Sequence, residues 1–533
     1  MCQVYQIVPA TTYAPESFII KVNKTSVIVN FSGQFQRILD ASSISADDVS
    51  IYILTDLSPE AIEEFIRHLK SYYGAKEQNN AKIIAPKHLK LFEDLSFCSR
   101  QQVFSGQVLI CEESLQVDEP EFSLTVQNVN DKLQFQLQPK LEQVNFDKEK
   151  IINLSKKQMG EISQKGCVQI DDQMVYAKDI SSVTKCGKVI YGEHFSAESN
   201  FDLVISSKLQ GDNVFNMTEQ GYPVKEFIQF YNTQSQQEFS YKGHMNKKFI
   251  VFPQKQFGFD SKYESTISQR DFNLLNKDFK QSTENSDYDN FIEFYGSQGT
   301  STSKYANVSA ELLQLDSFQF LIDCGVATLS QLQHSQRKTK LFENLVILIT
   351  HEHTDHYFGL GAVLSYYFKL YNVYPKIICP EDVNHYLFLL GLPVKSMLQM
   401  EKIQSTHSLN INGFQVRLMK SVHSPSSVHY SISNSSKTHE VVFTGDGRPF
   451  NYNFSNQNAC KILVHEASFV NEQEEAETRQ HSTFKEAVTA YKRTNADKLI
   501  VNHMSLRHAN EIIVGDNDGG KIVEAFDFMV VMI

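Results

Sequence analysis

The stretch ILITHEHTDHYFGL, residues 347 to 360, decides how this chain is read. A run of Ile and Leu, the composition of a buried β-strand, leads into His351, His353, Asp355 and His356, and Gly359 opens a helical pattern. The H-x-H-x-D-H spacing puts four ligand-type side chains on one tight turn. Alternation and reversal of the backbone there can aim His351 and His353 at one ion, and Asp355 and His356 at another. Neutral imidazoles and a carboxylate suit Zn²⁺, with Mn²⁺ or Fe as alternatives. Two ions need more ligands than one turn supplies. His423 after FQVRLMKSV, Asp446 after VVFTG and His503 after KLIVN each stand just past an apolar run, as a site at strand C-terminal ends requires.

Working outward, FQFLIDCG (318–325), NLVILIT (344–350) and KIICP (376–380) are short apolar strands around that turn. The first half contains the same landmarks in the same order: TSVIVNFSG (25–33), SIYILT (50–55) and KIIAP (82–86). Further on, EVVFTGDG (440–447) matches KVIYGEHF (188–195), and KLIVNH (498–503) matches KFIVFP (248–253). Matched landmarks at matched spacing point to an internal duplication. Helical patterns such as PEAIEEFIRHLKSYY (59–73) and GLGAVLSYYFKLY (359–371) alternate with the strands, which predicts an α/β fold with sheets covered by helices. The polar segment NKDFKQSTENSDYDN, 276–290, fits a linker between halves 1–275 and 291–533.

Composition narrows the function classes. A chain of 533 residues is too long for one ordinary domain, and 41% hydrophobic with 21% charged residues excludes wholesale disorder. The net charge of −12 argues against a generally polybasic nucleic-acid binder but leaves room for a local basic patch. Eight scattered cysteines without a C-x-x-C pair read as reduced thiols rather than a disulfide framework or a zinc ribbon. No apolar run reaches the ~18 residues of a membrane span, so no membrane association is expected. The opening MCQVYQIVPA lacks the marks of a signal peptide or an Arg-rich presequence. Nucleus or cytoplasm is the expected compartment, with the mitochondrion left open.

Around the metal turn stand YANVSAELLQ (305–314), FLIDCGVATLSQL (320–332), ILVHEASF (462–469), QHSTFKEA (480–487) and VNHMSLRH (501–508). With THEHTDHYFGL, this series resembles the long form of tRNase Z, the endoribonuclease of the metallo-β-lactamase superfamily that trims tRNA precursor 3′ ends. The H-x-H-x-D-H turn marks only the superfamily; the HEAS, HST and NHMSLRH segments make the resemblance specific. In the first half, VNFSGQFQR (29–37) is similar to the Asn-Cys-Gly-x-Gly-x-Gln-Arg segment of that family's degenerate amino half.

The resemblance implies a duplicated αββα sandwich, with a degenerate amino half and a catalytic carboxy half. It implies two Zn²⁺ ions, one on His351, His353 and His423 and the other on Asp355, His356 and His503, with Asp446 bridging. The two cations acidify a water that attacks the phosphorus, and Asp355 also orients that water. Glu466 and His481 relay a proton to the departing 3′ oxygen; the competing reading is a core hydrogen-bonded pair that orients ligands. Of the family's Pro-x-Lys-x-Arg-Asn loop, which senses the CCA end, Lys304 and Asn307 remain. An arm is implied near 153–188, where Lys156, Lys157 and Lys165 are candidate contacts to precursor tRNA. Departures are G-D-G for G-D-T at 445–447 and HEAS for HEAT, with Ser468 keeping a hydroxyl.

In the first half, Thr55 is followed by Asp-Leu-Ser-Pro-Glu-Ala without a histidine, Glu193 stands for Asp446 and Pro253 for His503. That half is expected to be catalytically dead and to hold substrate, which makes the chain a monomer with both roles in one molecule. The alternatives are another two-metal hydrolase of the superfamily, a thioesterase or an mRNA 3′-end nuclease, or a silent tRNA-binding homologue.

Overall fold

The computed structural model describes residues 2–8, 17–31, 35–36, 39, 49–73, 81–93, 106–140, 142–146, 154–165, 167–170, 173–176, 181–185, 188–192, 203–205, 214–215, 225–227, 290–300, 302, 306–334, 341, 344–392, 399–402, 407–449, 452–454, 459–508 and 521–533. In the first half, β1 (Cys2–Val8), β2 (Ser17–Val22), β3 (Thr25–Val29), β4 (Val49–Ile53), β5 (Lys82–Ala85) and β6 (Gln107–Ile110) lie side by side in chain order. A late strand, β17 (Lys225–Phe227), closes this sheet antiparallel to β1. The facing sheet runs β7 (Ser114–Asp118), β8 (Phe122–Val129), β9 (Lys132–Pro139), β14 (Val189–Tyr191), β15 (Leu203–Ile205) and β16 (Val214–Phe215).

The second half repeats the plan, with one further strand in its facing sheet among the described residues. Its first sheet runs β18 (Phe291–Gly296), β19 (Ala310–Leu315), β20 (Phe318–Ile322), β21 (Leu345–Leu348), β22 (Lys376–Cys379) and β23 (Gln399–Lys402). Again a late strand, β31 (Val530–Met532), closes it antiparallel to β18. The facing sheet runs β24 (His407–Ile411), β25 (Phe414–Lys420), β26 (Val428–Ser433), β27 (His439–Phe443), β28 (Cys460–Glu466), β29 (Lys498–Asn502) and β30 (Ile522–Glu524).

Strand alternation explains how each pair of sheets packs. In the first half, Ile20, Val27 and Ile51 meet Leu124, Phe135 and Val189. In the second, Phe294, Phe320 and Leu348 meet Phe414, Tyr430 and Val464. Helices α1 (Pro59–Tyr73) and α4 (Leu360–Tyr371) cover the outer faces of the two first sheets and lie against each other. One apolar core therefore spans both halves, from Tyr52 and Phe65 to Leu321, Ile347 and Leu364. Helices α3 (Thr328–His334) and α5 (Glu381–Leu389) join the same layer. Farther along the chain follow α6 (Gln473–Arg479) and α7 (Phe484–Thr494). Ala487 of α7 packs on Leu463 and Leu499, across the other outer face of the second half. No described helix is long and apolar enough to cross a membrane, and Cys111, Cys167, Cys324, Cys379 and Cys460 are free thiols.

Between β9 and β14 the chain leaves the sandwich. Strands β10 (Glu142–Phe146) and β13 (Ser181–Lys185) pair antiparallel as a stalk. Beyond them lie helix α2 (Lys156–Lys165) and the hairpin of β11 (Cys167–Ile170) with β12 (Gln173–Tyr176), packed through Ile162 and Val168. At the same place in the second half, β26 and β27 are joined by a short turn.

Among the described residues, β16 pairs with β15 as β29 pairs with β28, and β17 closes the other sheet against β1. Residues 248–253, Glu193 and linker residues 276–289 lie outside the described residues.

Candidate metal centre

The site is built on strand ends. After β21, residues 354–356 form a short 3-10 turn, pinned by hydrogen bonds from Cys324 N to His356 O (2.7 Å) and from Gly359 N to Cys324 O (2.9 Å). Asp446 follows β27 and His503 follows β29. His503 sits in the left-handed region at φ 57°, a conformation that costs a β-carbon-bearing residue ~1–2 kcal/mol. Gly299 makes room for it: a β-carbon there would lie 2.3 Å from the His503 ring.

These elements bring together the seven ligand candidates read from the sequence, in two groups. His351, His353, His423 and Asp446 form one, and Asp355, His356 and His503 the other, with ligand atoms inside each group within 4.8 Å of one another. Asp446 stands between them. Its Oδ2 is 3.6 Å from His351 Nε2, 3.6 Å from His423 Nε2 and 3.4 Å from His356 Nε2, while its Oδ1 is 3.1 Å from His503 Nε2. His423 Nε2 and His353 Nδ1 approach to 3.0 Å. Asp355 Oδ2 is 3.7 Å from both His356 Nε2 and His503 Nε2, and accepts the Thr300 N–H at 2.7 Å.

Hydrogen bonds behind the rings fix their tautomers. Thr350 Oγ1 donates to Asp323 Oδ2 (2.9 Å), so it can only accept from His351 Nδ1–H (3.0 Å), which leaves the His351 Nε2 lone pair facing inward. His356 Nδ1–H donates to Asp323 Oδ2 (2.7 Å), and His423 Nδ1–H to Gln480 O (3.1 Å). Ser468 Oγ donates to Glu466 Oε2 (3.0 Å) and accepts from His503 Nδ1–H (3.0 Å). Glu352, between two ligands, accepts from Ser424 Oγ (2.7 Å) and Ser426 Oγ, which ties the loop of His423 to the metal turn.

The donor set fits divalent cations. His351 Nε2, His356 Nε2, His503 Nε2 and Asp446 Oδ1 are buried and have no hydrogen-bond partner. Each such atom costs ~1–3 kcal/mol unless something takes it, and four converging on one spot mark a cation site of nitrogen and carboxylate ligands. Charge agrees. Burial pushes His356 down, but the carboxylates of Asp446, Asp323 and Asp355 outweigh it and hold its pKa well above the ordinary value. Burial would raise the Asp446 carboxyl, yet His503, His356 and His351 hold it well below the usual range. His351 differs: burial and the neighbouring imidazole of His356 hold it well below the ordinary value, a neutral ring with its Nε2 lone pair free.

Beside it, the buried Glu466 carboxylate is saturated with donors. Oε1 accepts from His481 Nδ1 (2.9 Å), Gly447 N (2.9 Å) and Ser482 N (3.1 Å), and Oε2 accepts from Ser468 N (2.8 Å) and Ser468 Oγ. Burial opposes protonation of His481, but the charge of Glu466 and its hydrogen bond prevail and lift the imidazole to about 9. His481 Nδ1 also lies 4.0 Å from Asp446 Oδ2.

Other predicted residues fall differently. Lys156, Lys157 and Lys165 are exposed on α2. Lys304 lies outside the described residues. Asn307 is 1% exposed, and its Nδ2 donates to Val326 O (2.9 Å). Sequence reading missed Asp323 and Thr350 as orienting residues, although both already marked strand ends in the repeat.

A ligand set of this kind at the strand ends of a duplicated αββα sandwich defines a metallo-β-lactamase-fold metal site. Comparison then points to particular proteins. The chain is 26% identical over 299 residues to "Ribonuclease Z" of Archaeoglobus fulgidus, covering 45% of this chain and 96% of that protein. It is 25% identical over 275 residues to human "Zinc phosphodiesterase ELAC protein 2", covering 45% of this chain and 33% of that protein. The chain thus spans about a third of the length of this long curated relative. The crystal structure of a long-form RNase Z from yeast matches all of this chain and 98% of that one at TM-score 0.62 and 14% identity, which shows a shared fold. A family profile described as "Anti-Pycsar protein Apyc1" matches residues 291–521. The likeness to proteins named ribonuclease Z thus holds in sequence over 45% of the chain and in fold over all of it.

Proposed function

We propose that the chain is an endoribonuclease that removes the 3′ trailer from tRNA precursors and leaves a 3′-hydroxyl. The observation that carries this reading is the seven-residue ligand set with the Glu466–His481 pair at its edge. Its similarity to proteins named ribonuclease Z supplies the substrate class. Two divalent cations, zinc by the donor chemistry, would bind on His351, His353 and His423 and on Asp355, His356 and His503 with Asp446 between, and would neutralise the phosphate and acidify the attacking water. Asp355, steadied by the Thr300 N–H, orients that water. His481, kept protonated by Glu466, donates its proton to the departing 3′ oxygen, which needs one near neutral pH.

Helix α2 supports an RNA grip in the arm. Lys156 and Lys157 occupy its first turn, where positive charge opposes the helix dipole, an arrangement that a bound phosphate would favour. With both halves in one chain, the enzyme acts as a monomer; light scattering at micromolar concentration that gave a stable dimer would contradict this. The decisive experiment pairs metal analysis with cleavage of a 3′-extended tRNA. Cutting just after the discriminator base is expected, and loss of it in His353→Ala. A chain without bound metal, not rescued by Zn²⁺ or Mn²⁺, would overturn the reading.

A further inference from the structure

Helix α4 starts where the metal turn ends, and its own sequence cannot cap it. The N-cap is Gly359, which has no side chain to offer, and no side-chain cap forms there. Gly359 cannot be exchanged for a capping Ser or Asp, because a β-carbon would lie 2.0 Å from Gly325 O. The first turn of an α-helix nevertheless leaves N–H groups that need acceptors, all the more so when buried.

The acceptor comes from the other half of the molecule. Glu63 of α1 reaches across the shared helical layer, and its Oε1 accepts the Ala362 N–H at 2.7 Å. The residue is 1% exposed. The fit depends on Gly361, whose ideal β-carbon would lie 2.9 Å from the same oxygen. Burial pushes the Glu63 carboxyl well above its usual range. The contact has no mirror image, since Leu364, at the matching place on α4, is apolar.

We infer that Glu63 is a positioning residue, through which the half bearing α1 steadies the turn carrying Asp355 and His356 and so tightens metal binding. The step from cap to metal is short. Three residues separate His356 from Leu360, and Cys324 bonds to both ends of that interval, at His356 O and Gly359 N. A cap contributes ~0.5–2 kcal/mol, and coupling works in both directions. The inference rests on the two-metal reading of the site.

The test uses the full chain. Zn²⁺ added to the metal-free protein should slow amide exchange at Gly361 and Ala362, and also along α1 in the first half. Glu63→Leu should weaken zinc binding, measured by chelator competition, by roughly tenfold, and should lower kcat while leaving KM for precursor tRNA in place. Glu63→Gln keeps an acceptor oxygen at the same spot and should restore both. Zinc-independent exchange in α1, undiminished affinity in Glu63→Leu, or a Gln variant no better than Leu would overturn the inference. If Glu63→Leu fails to fold, exchange in the unaltered chain decides. A chain that shows the zinc coupling but cuts no tRNA would sink the substrate reading and leave this inference standing.

Discussion

The two halves turn the chain at the end of their third strands in the same way and use the turn differently. Asn30 and Asp323 both sit in the left-handed region, at φ 53° and 56°, and their backbone N–H groups donate to Ile53 O and Leu348 O, each at 2.8 Å. Asn30 Oδ1 accepts both the N–H and the hydroxyl of Thr55, at 2.7 and 2.9 Å. Asp323 divides the work: Oδ1 takes the Thr350 N–H at 2.7 Å, and Oδ2 takes the Thr350 hydroxyl at 2.9 Å and the His356 Nδ1–H at 2.7 Å. The turn needs a short side chain with one acceptor oxygen, which an amide supplies. Orienting a metal ligand needs a second acceptor, which only the carboxylate has.

Exchanging the two residues should break the symmetry most sharply. In Asp323→Asn, the amide nitrogen would face His356 Nδ1–H, donor against donor, and would favour the tautomer whose Nε2 cannot bind a cation. Metal affinity should fall ~10–100-fold, with cleavage falling alongside. The fold should survive, because Asn30 shows that an amide can hold the turn. Asn30→Asp should do the reverse, leaving metal content and activity unchanged while costing ~1–3 kcal/mol of stability for a buried acceptor placed where a donor stood. Chelator competition and urea unfolding on both variants decide; equal metal affinities in the two would end the argument.

A second contrast lies between β9 and β14, where the first half carries a whole arm and the second half a short turn. Replacing 156–180 with a Gly-Ser linker should raise KM for precursor tRNA roughly tenfold, because lysine–phosphate attraction is lost. Metal content and hydrolysis of bis(p-nitrophenyl) phosphate should stay nearly intact, since they depend on the second half. An unchanged KM, or both activities falling together, would remove the arm from substrate binding.

Much of this was legible in the sequence, for physical reasons. His and Asp are ligand types for a divalent cation, so the H-x-H-x-D-H turn and the residues after β25, β27 and β29 stood out as candidates by type and position. PEAIEEFIRHLKSYY predicted α1 to the residue, because its apolar face repeats at the helical period. What stayed hidden depends on distant partners. Glu63 reads as an ordinary charge on an amphipathic helix until α4 is placed beside it. Asn307 keeps the family's residue type, and only packing shows that its amide is spent on Val326 O. The match of KFIVFP to KLIVNH rests on local composition, which carries no information about sheet position.

A further expected effect concerns acid stability and separates the halves again. In the first half, burial pushes His68 down to about 3; its Nδ1 lies 2.8 Å from Gln36 Oε1, among the rings of Phe31, Phe35 and Tyr52. An unfolded histidine takes up its proton near 6.5, so over this window the unfolded state binds more protons than the folded one. The stability from this group is therefore complete above about pH 6.5 and is lost as pH falls toward 3. Between pH 7 and pH 5 the loss amounts to about 2 kcal/mol. His429 in the second half, lowered to about 4 by burial, acts in the same direction and hides the effect in the parent chain. The difference between parent and His68→Gln isolates it: metal-free protein unfolded in urea at both pH values should show the variant losing about 2 kcal/mol less on acidification. Equal losses would mean that the aromatic box around His68 opens to water before the first half unfolds.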